Sequence, residues 1–376
     1  MRKIIFIALA SFVLTGMTSV IAHSKATSNT VLIVVSGAGQ DAGKTRPGFE
    51  MDELSQAWLI FNDNGLKTVI ASPRGGQVEA DKFDAGLAFN ARFISDPRGQ
   101  AQLSHTLAFA EIRPEQYDAL YVVGGKGAMF DLVQSQELSA IIRGIYYLGG
   151  IISAVCHGPA VLANVTLNDG TSLIANRRVT GFSNEEEAIF GKKWQAEFPF
   201  LIETKLKALG ARWEESPMMM PKVVEDGQLI TGQNPYSTAQ LAEAIARKLG
   251  RTPIARKLHR DENAMVLAEW VHRGQIKQAV AQLAAAPKKY HVELIGLLGY
   301  YQLQSANTKD QVLRAQQLME LVRPYFAPPE LLLGLAQSHQ RLGNLSKARE
   351  MAQALLAINP KLDAAKKLMA QIDQTQ

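Results

Sequence analysis

A short β-branched run that ends in glycine and gives way to a helix-patterned stretch recurs along the first 250 residues, and no other feature constrains the fold as strongly. "NTVLIVVSGAG" (29–39) is continuously apolar rather than alternating, which reads as a strand buried on both faces. "DELSQAWLIFNDNG" (52–65) follows with apolar residues at helical spacing and a glycine stop. "LKTVIASPRGG" (66–76), "YDALYVVGGKGAMFDL" (117–132) and "GIISAVCHGPAVLANV" (150–165) repeat the pattern of strand, glycine turn and helix start. This alternation predicts an α/β fold, a parallel sheet sandwiched by helices. Reactive groups in such sheets gather at the carboxyl ends of strands, where these glycine turns fall.

The pattern changes near "RKLGRTPIARKLHRDENA" (247–264), after which the periodicity is helical only. "PPELLLGLAQSHQRLGNLSKAREMAQALLAINP" (328–360) resembles one whole tetratricopeptide repeat, with Leu332, Leu335, Ala336, Gly343, Ala348, Ala352, Leu355 and Pro360 at its hallmark sites. Ala279 and Ala315 head two weaker copies upstream, at intervals close to the repeat length. Helix pairs of this kind cannot bury an apolar face alone and must stack. Such an array would hold a protein or peptide in its groove, or brace the catalytic domain or a homodimer; the residues leave these open. The expected division is 1–22 signal segment, 29–250 catalytic domain and 255–376 all-α helical-repeat domain.

The start, "MRKIIFIALASFVLTGMTSVIAHS", has a basic opening, an apolar stretch and compact residues at Val20 and Ala22, the layout of a secretory signal cleaved after Ala22. It implies a periplasmic or secreted protein with no stable membrane span after cleavage. The chain holds one cysteine, so no intramolecular disulfide can form, and Cys156 is either inert by burial or kept as a usable thiol. Residues 251–376 carry 17 Lys/Arg against 10 Asp/Glu, a balance that a solvated helical surface explains; no nucleic-acid motif accompanies it. No metal-ligand spacing or phosphate loop is present either, and no cofactor is expected. "GAGQDAGKT" (37–45) lacks the first glycine of a phosphate loop, having Ala38 in its place.

In "SAVCHGPA" a β-branched strand runs straight into Cys156, with Ala154 and Gly158 small on either side. This is the requirement of a nucleophile elbow, where larger neighbours would collide. A helix beginning at Cys156 would lower the thiol's pKa. His157 is the adjacent acid–base candidate, and the turn "VVGGKGAM" offers the backbone N–H groups of Gly124 and Gly125 as an oxyanion site.

At these residues the chain from about 30 to 250 resembles the ThiJ/PfpI superfamily, within the class I glutamine amidotransferase-like fold, and its chaperone and glyoxalase branch in particular. The motifs are "DEL…FNDNGLKTVIASPRGG", "YDALYVVGGKGAMFDL", "AVCHGPAVL", "VTGFSNEEEAIF", "PFLIETKLKALGARW" and "DGQLITGQNP". The resemblance implies a flavodoxin-like sheet with Cys156 as nucleophile, His157 as its partner and Glu53 as the glutamate leaning over the cysteine. It also implies an acid from "SNEEE" that orients the histidine; Glu187 fits the spacing best, with Glu185 and Glu186 as alternatives. Lys126 stands where much of this branch has a pocket-lining histidine, and Ala57 and Trp58 stand where the family has a proline. The implied activity is cofactor-independent conversion of a small 2-oxoaldehyde to a 2-hydroxy acid through a cysteine hemithioacetal. Alternatives are a cysteine amidase, peptidase or deglycase acting on an amide, and a chaperone or redox sensor that uses the helical repeats.

Overall fold

The computed structural model describes residues 29–374; the expected signal segment falls outside them. The strands are β1 (Thr30–Val34), β2 (Lys67–Ser72), β3 (Arg74–Gly76), β4 (Thr106–Ala108), β5 (Ala119–Val122), β6 (Ile151–Val155), β7 (Arg178–Val179), β8 (Arg212–Trp213), β9 (Val223–Asp226) and β10 (Leu229–Gly232). The first helices are α1 (Met51–Asp63), α2 (Ala88–Ser95), α3 (Pro97–Ser104), α4 (Gln136–Tyr147), α5 (Asn184–Phe190), α6 (Ile202–Ala208) and α7 (Thr238–Lys248). Eight strands form one sheet in the order β3-β4-β2-β1-β5-β6-β10-β9. The run from β4 to β10 is parallel, as the alternation predicts, and β1, β5 and β6 are its buried centre.

The sheet is mixed rather than wholly parallel, because β3 and β9 run antiparallel at its two edges. Between β9 and β10 only Gly227 and Gln228 intervene, with Gly227 at φ +60°, and so short a loop can close only an antiparallel hairpin. The helix starts expected after β5 and β6 are instead tight 3₁₀ turns, Lys126–Met129 and Gly158–Asn164. The tighter winding keeps Gly158 against the Val122 carbonyl, where a Cβ would sit 2.7 Å from the oxygen.

Beyond residue 259 the chain is helical: α8 (Arg260–His272), α9 (Ile276–Ala285), α10 (Val292–Ser305), α11 (Lys309–Val322), α12 (Pro329–Arg341), α13 (Leu345–Ile358) and α14 (Asp363–Gln374). Each packs on its sequence neighbour or the pair beyond it, so the helices stack in order. Ala279, Ala315 and Ala348, one on each of α9, α11 and α13, are fully buried. Their small side chains let neighbouring backbones close in; a Cβ on Gly299 of α10 would lie 2.8 Å from the Ala315 carbonyl oxygen.

The α/β and helical regions have separate apolar cores, bridged by Met219, which packs against both. Polar contacts hold the joint. Gln302 Nε2 on α10 donates to the Met218 carbonyl at 2.9 Å. Arg256, in the connection, binds Glu243 of α7 at 2.8 Å and Glu262 of α8 at 2.6 and 2.7 Å.

Candidate active site

β6 delivers Cys156 at its carboxyl end, where the backbone turns to φ +60°. This left-handed conformation opposes a side chain by roughly 1–2 kcal/mol, so the surroundings must impose it. They do: Cys156 N–H donates to the Gly232 carbonyl at 3.0 Å, and its own carbonyl accepts from Phe182 N–H at 2.8 Å. Gly124 makes room for the elbow, since a Cβ there would sit 2.7 Å from Cys156 Cβ, Glu53 Oε2 and the Val155 carbonyl oxygen alike.

The same turn brings two consecutive side chains together. Cys156 Sγ lies 3.3 Å from His157 Nδ1, and His157 Nε2 lies 3.0 Å from Glu187 Oε2. Of the three candidate acids, Glu187 therefore faces the histidine. Glu186 is buried among other donors, and Glu185 lies at the α5 N-terminus away from the ring. Ser183 caps that helix, its hydroxyl accepting from Glu186 N–H. With Glu187 accepting the Nε2 proton, Nδ1 is left as the acceptor that faces sulfur. Phe182 stacks on the imidazole with centroids 4.5 Å apart, which fixes the ring plane.

Glu53, in the first turn of α1, is fully buried. Its Oε2 accepts from Gly124 N–H at 2.6 Å, and Tyr121 OH donates to its carbonyl at 3.1 Å. Burial, reinforced by the neighbouring Glu50, pushes its carboxyl well above the ordinary range, so it holds a proton beside the sulfur.

Two expectations change here. The thiol of Cys156 is pushed up, not down: burial comes first, then the charges of Glu53 and Glu50, outweighing Gly125 N–H and the Lys126 ammonium. The segment after Cys156 is a 3₁₀ turn beginning at Gly158, which supplies less of a helix field than an α-helix starting at the sulfur. The N–H of Gly124 is committed to Glu53, leaving Gly125 N–H as the turn donor that meets the sulfur.

Lys126 opens the turn after β5, half-buried, and makes no ion pair or side-chain hydrogen bond among the described residues. Its charge reaches Cys156, Glu50 and Asp81. Glu50 and Asp81 were not singled out from the sequence. Glu50 is pushed up to about 7 by burial and by Asp81, and its place three residues before Glu53 in "GFEMDE" was the signal that would have marked it. Above the site, Phe198 meets His157 edge-on at 5.9 Å and Phe130 at 5.8 Å. The Arg46 guanidinium lies 4.6 Å over the Phe130 ring and binds Glu197 at 3.0 Å, tying the 37–50 loop to the 192–200 segment.

The α/β region has relatives of known structure and name. It is 31% identical over 210 residues to the glutathione-independent glyoxalase HSP31 of Saccharomyces cerevisiae, covering 52% of this chain and 80% of that protein. It is 28% identical over 217 residues to the glutathione-independent glyoxalase hsp3102 of Schizosaccharomyces pombe, covering 54% of this chain and 89% of that protein. Among solved structures, the Rapid Encystment Protein 24 KDa of Francisella tularensis superposes with a TM-score of 0.54 at 30% identity, over 58% of this chain and 98% of that one. Glyoxalase III of Candida albicans shares the fold, with a TM-score of 0.53 at 24% identity over 58% of this chain and 96% of that one. The family model described as DJ-1/PfpI matches residues 45–248, from the loop before α1 to the end of α7. More than half of the chain, including the elbow and all the groups gathered around it, thus places this protein in the DJ-1/PfpI family.

Proposed function

We propose that the chain is a glyoxalase III-like enzyme that converts a small 2-oxoaldehyde to the 2-hydroxy acid without a cofactor. The observation that carries this reading is the placement of one thiol between two proton carriers, His157 Nδ1 at 3.3 Å and the buried, protonated Glu53. The names of the fungal relatives support it.

Because the resting thiol is neutral, addition begins with proton transfer. His157 takes the Sγ proton as sulfur attacks the aldehyde carbon, and Glu187 stabilises the imidazolium. Glu53 gives its proton to the new alkoxide, forming the hemithioacetal, and Gly125 N–H is the backbone donor at hand. The Glu53 carboxylate then removes the C1 hydrogen while imidazolium protonates the neighbouring carbonyl oxygen, giving an enediol. Glu53 returns that hydrogen to C2, and His157 takes the C1 hydroxyl proton, leaving a thioester. Water cleaves it: its proton goes to Glu53, the imidazolium proton returns to sulfur, and the hydroxy acid leaves.

The unpaired Lys126 ammonium at this site favours an aldehyde bearing a negative charge. With the N-terminal segment acting as an export signal, the reaction would take place in the periplasm or outside the cell. The test is methylglyoxal consumption by the purified mature chain. Turnover that Cys156→Ala abolishes is expected, with Lys126→His shifting preference from charged to neutral aldehydes; equal consumption by Cys156→Ala overturns the reading.

A further inference from the structure

The carboxylate that faces His157 rides on a seven-residue helix whose other contacts lead away from the cysteine. Glu186, its neighbour, is fully buried and collects four donors. Ser183 N–H reaches it at 2.9 Å, Met219 N–H at 2.8 Å, and Gln233 Nε2 and Asn234 Nδ2 at 2.9 Å each. One carboxylate therefore pins α5 to the 216–220 segment and to the turn after β10. Met219 stands at φ +57°, a conformation that its own side chain resists, so contacts from outside must hold it.

One such contact comes from the helical region. Gln302 of α10 is buried, and its Nε2 donates to the Met218 carbonyl at 2.9 Å. Its neighbour Tyr301 meets Phe190, the last residue of α5, edge-on at 5.0 Å. Packing alone does not fix Met218, because a cavity of about 400 Å³ lies against it, lined among others by Glu185, Pro217, His272, Gln302 and Arg314. Directed hydrogen bonds set its position instead.

We propose that Gln302 and Glu186 are positioning residues through which the helical region sets the place of Glu187, and with it the alignment of His157 on Cys156. The relay runs from Gln302 to the Met218 carbonyl, through Met219 N–H to Glu186, and along one peptide unit to Glu187. The inference rests on the reading of Cys156, His157 and Glu187 as the reacting set, but not on which substrate they serve.

The test uses the full chain with Gln302→Met, which keeps the volume and removes the donor, and Glu186→Gln, which cannot accept four bonds. The readouts are iodoacetamide alkylation of Cys156 against pH, and kcat and KM on methylglyoxal. Misplacement of about an ångström costs up to roughly a hundred-fold in rate. The expected result is kcat down roughly ten-fold or more at unchanged KM, slower alkylation, and a raised pH midpoint for it, in protein that melts as a folded chain. Alkylation rates and midpoints equal to wild type in both variants overturn the inference. If Glu186→Gln does not fold, Gln302→Met decides by the same criterion. Failure of the wild-type chain to consume methylglyoxal sinks the glyoxalase reading and leaves the alkylation comparison intact.

Discussion

At Cys156 the backbone is held where a side chain is unwelcome, and the thiol is held where its charge is unwelcome. The second condition makes the neighbouring carboxyl decisive. Glu53 raises the thiol and also carries the proton that the chemistry needs, so Glu53→Gln separates the two effects. The pH midpoint for Cys156 alkylation is expected to fall in that variant, since at the alkaline pH where the thiol titrates an ionised Glu53 opposes the thiolate and the variant's neutral amide would not. Turnover is expected to drop by roughly a hundred-fold or more, the usual worth of a general acid–base group. Alkylation kinetics and steady-state rates measured on one preparation check both. A midpoint that stays put would mean that Glu53 does not act electrostatically on the sulfur.

Among the elements, the junction of β5 with its glycine turn is the tightest packed against the elbow. Gly124→Ala adds a methyl 2.7 Å from three atoms, two of them in β6 and its elbow. Overpacking of this kind costs about 1–3 kcal/mol, so urea unfolding is expected to show a loss of that size, with Cys156 alkylation altered because Cys156 must shift. How far these elements were legible follows from the range of the forces. β1, β5 and β6 are buried on both faces, which writes them as continuous apolar runs, and the elbow needs small residues at fixed offsets that anyone can read. β3 and β9 are short edge strands with half-exposed residues, so they leave no such run. Glu187 is the best-fitting of three adjacent acids by the family resemblance, and what the sequence could not show is the rotation of α5 that turns it to His157, which Ser183 and Glu186 fix together. At Cys156 burial outweighs the helix field, and Glu53 and Glu50 add to it from positions whose distance in sequence hides their proximity.

Across the whole molecule, carboxyls drawn out of water, Glu186 fully and Glu50 in part, keep protons that an unfolded chain would release. Glu50 and Glu186 are raised from the ordinary 4.5 to about 7 in the folded protein. A folded state that binds more protons than the unfolded one loses stability as pH rises, so this contribution is complete below about 4.5 and is lost as pH climbs through about 7. Urea midpoints are expected to fall from pH 5.5 to pH 8, and Glu50→Gln should flatten that slope. Stability that rises over this window would contradict it. The connection between the regions gives a separate expectation: Arg256→Ala removes the guanidinium shared by α7 and α8 and is expected to open residues 250–259 to protease before either core unfolds.

The tie between Arg46 and Glu197 has a consequence for traffic. Both side chains are about half in water, so dissolved ions weaken their attraction. Cys156 itself is 3% exposed, so a reagent reaches it only when neighbouring segments part, and this tie joins the loop before α1 to the segment whose Phe198 packs on His157. Added sodium chloride is therefore expected to quicken alkylation of the wild-type thiol, and Arg46→Ala should be fast at every salt concentration. The rate at which the site meets its substrate would then depend on the ionic strength of its surroundings, as well as on the substrate's concentration there.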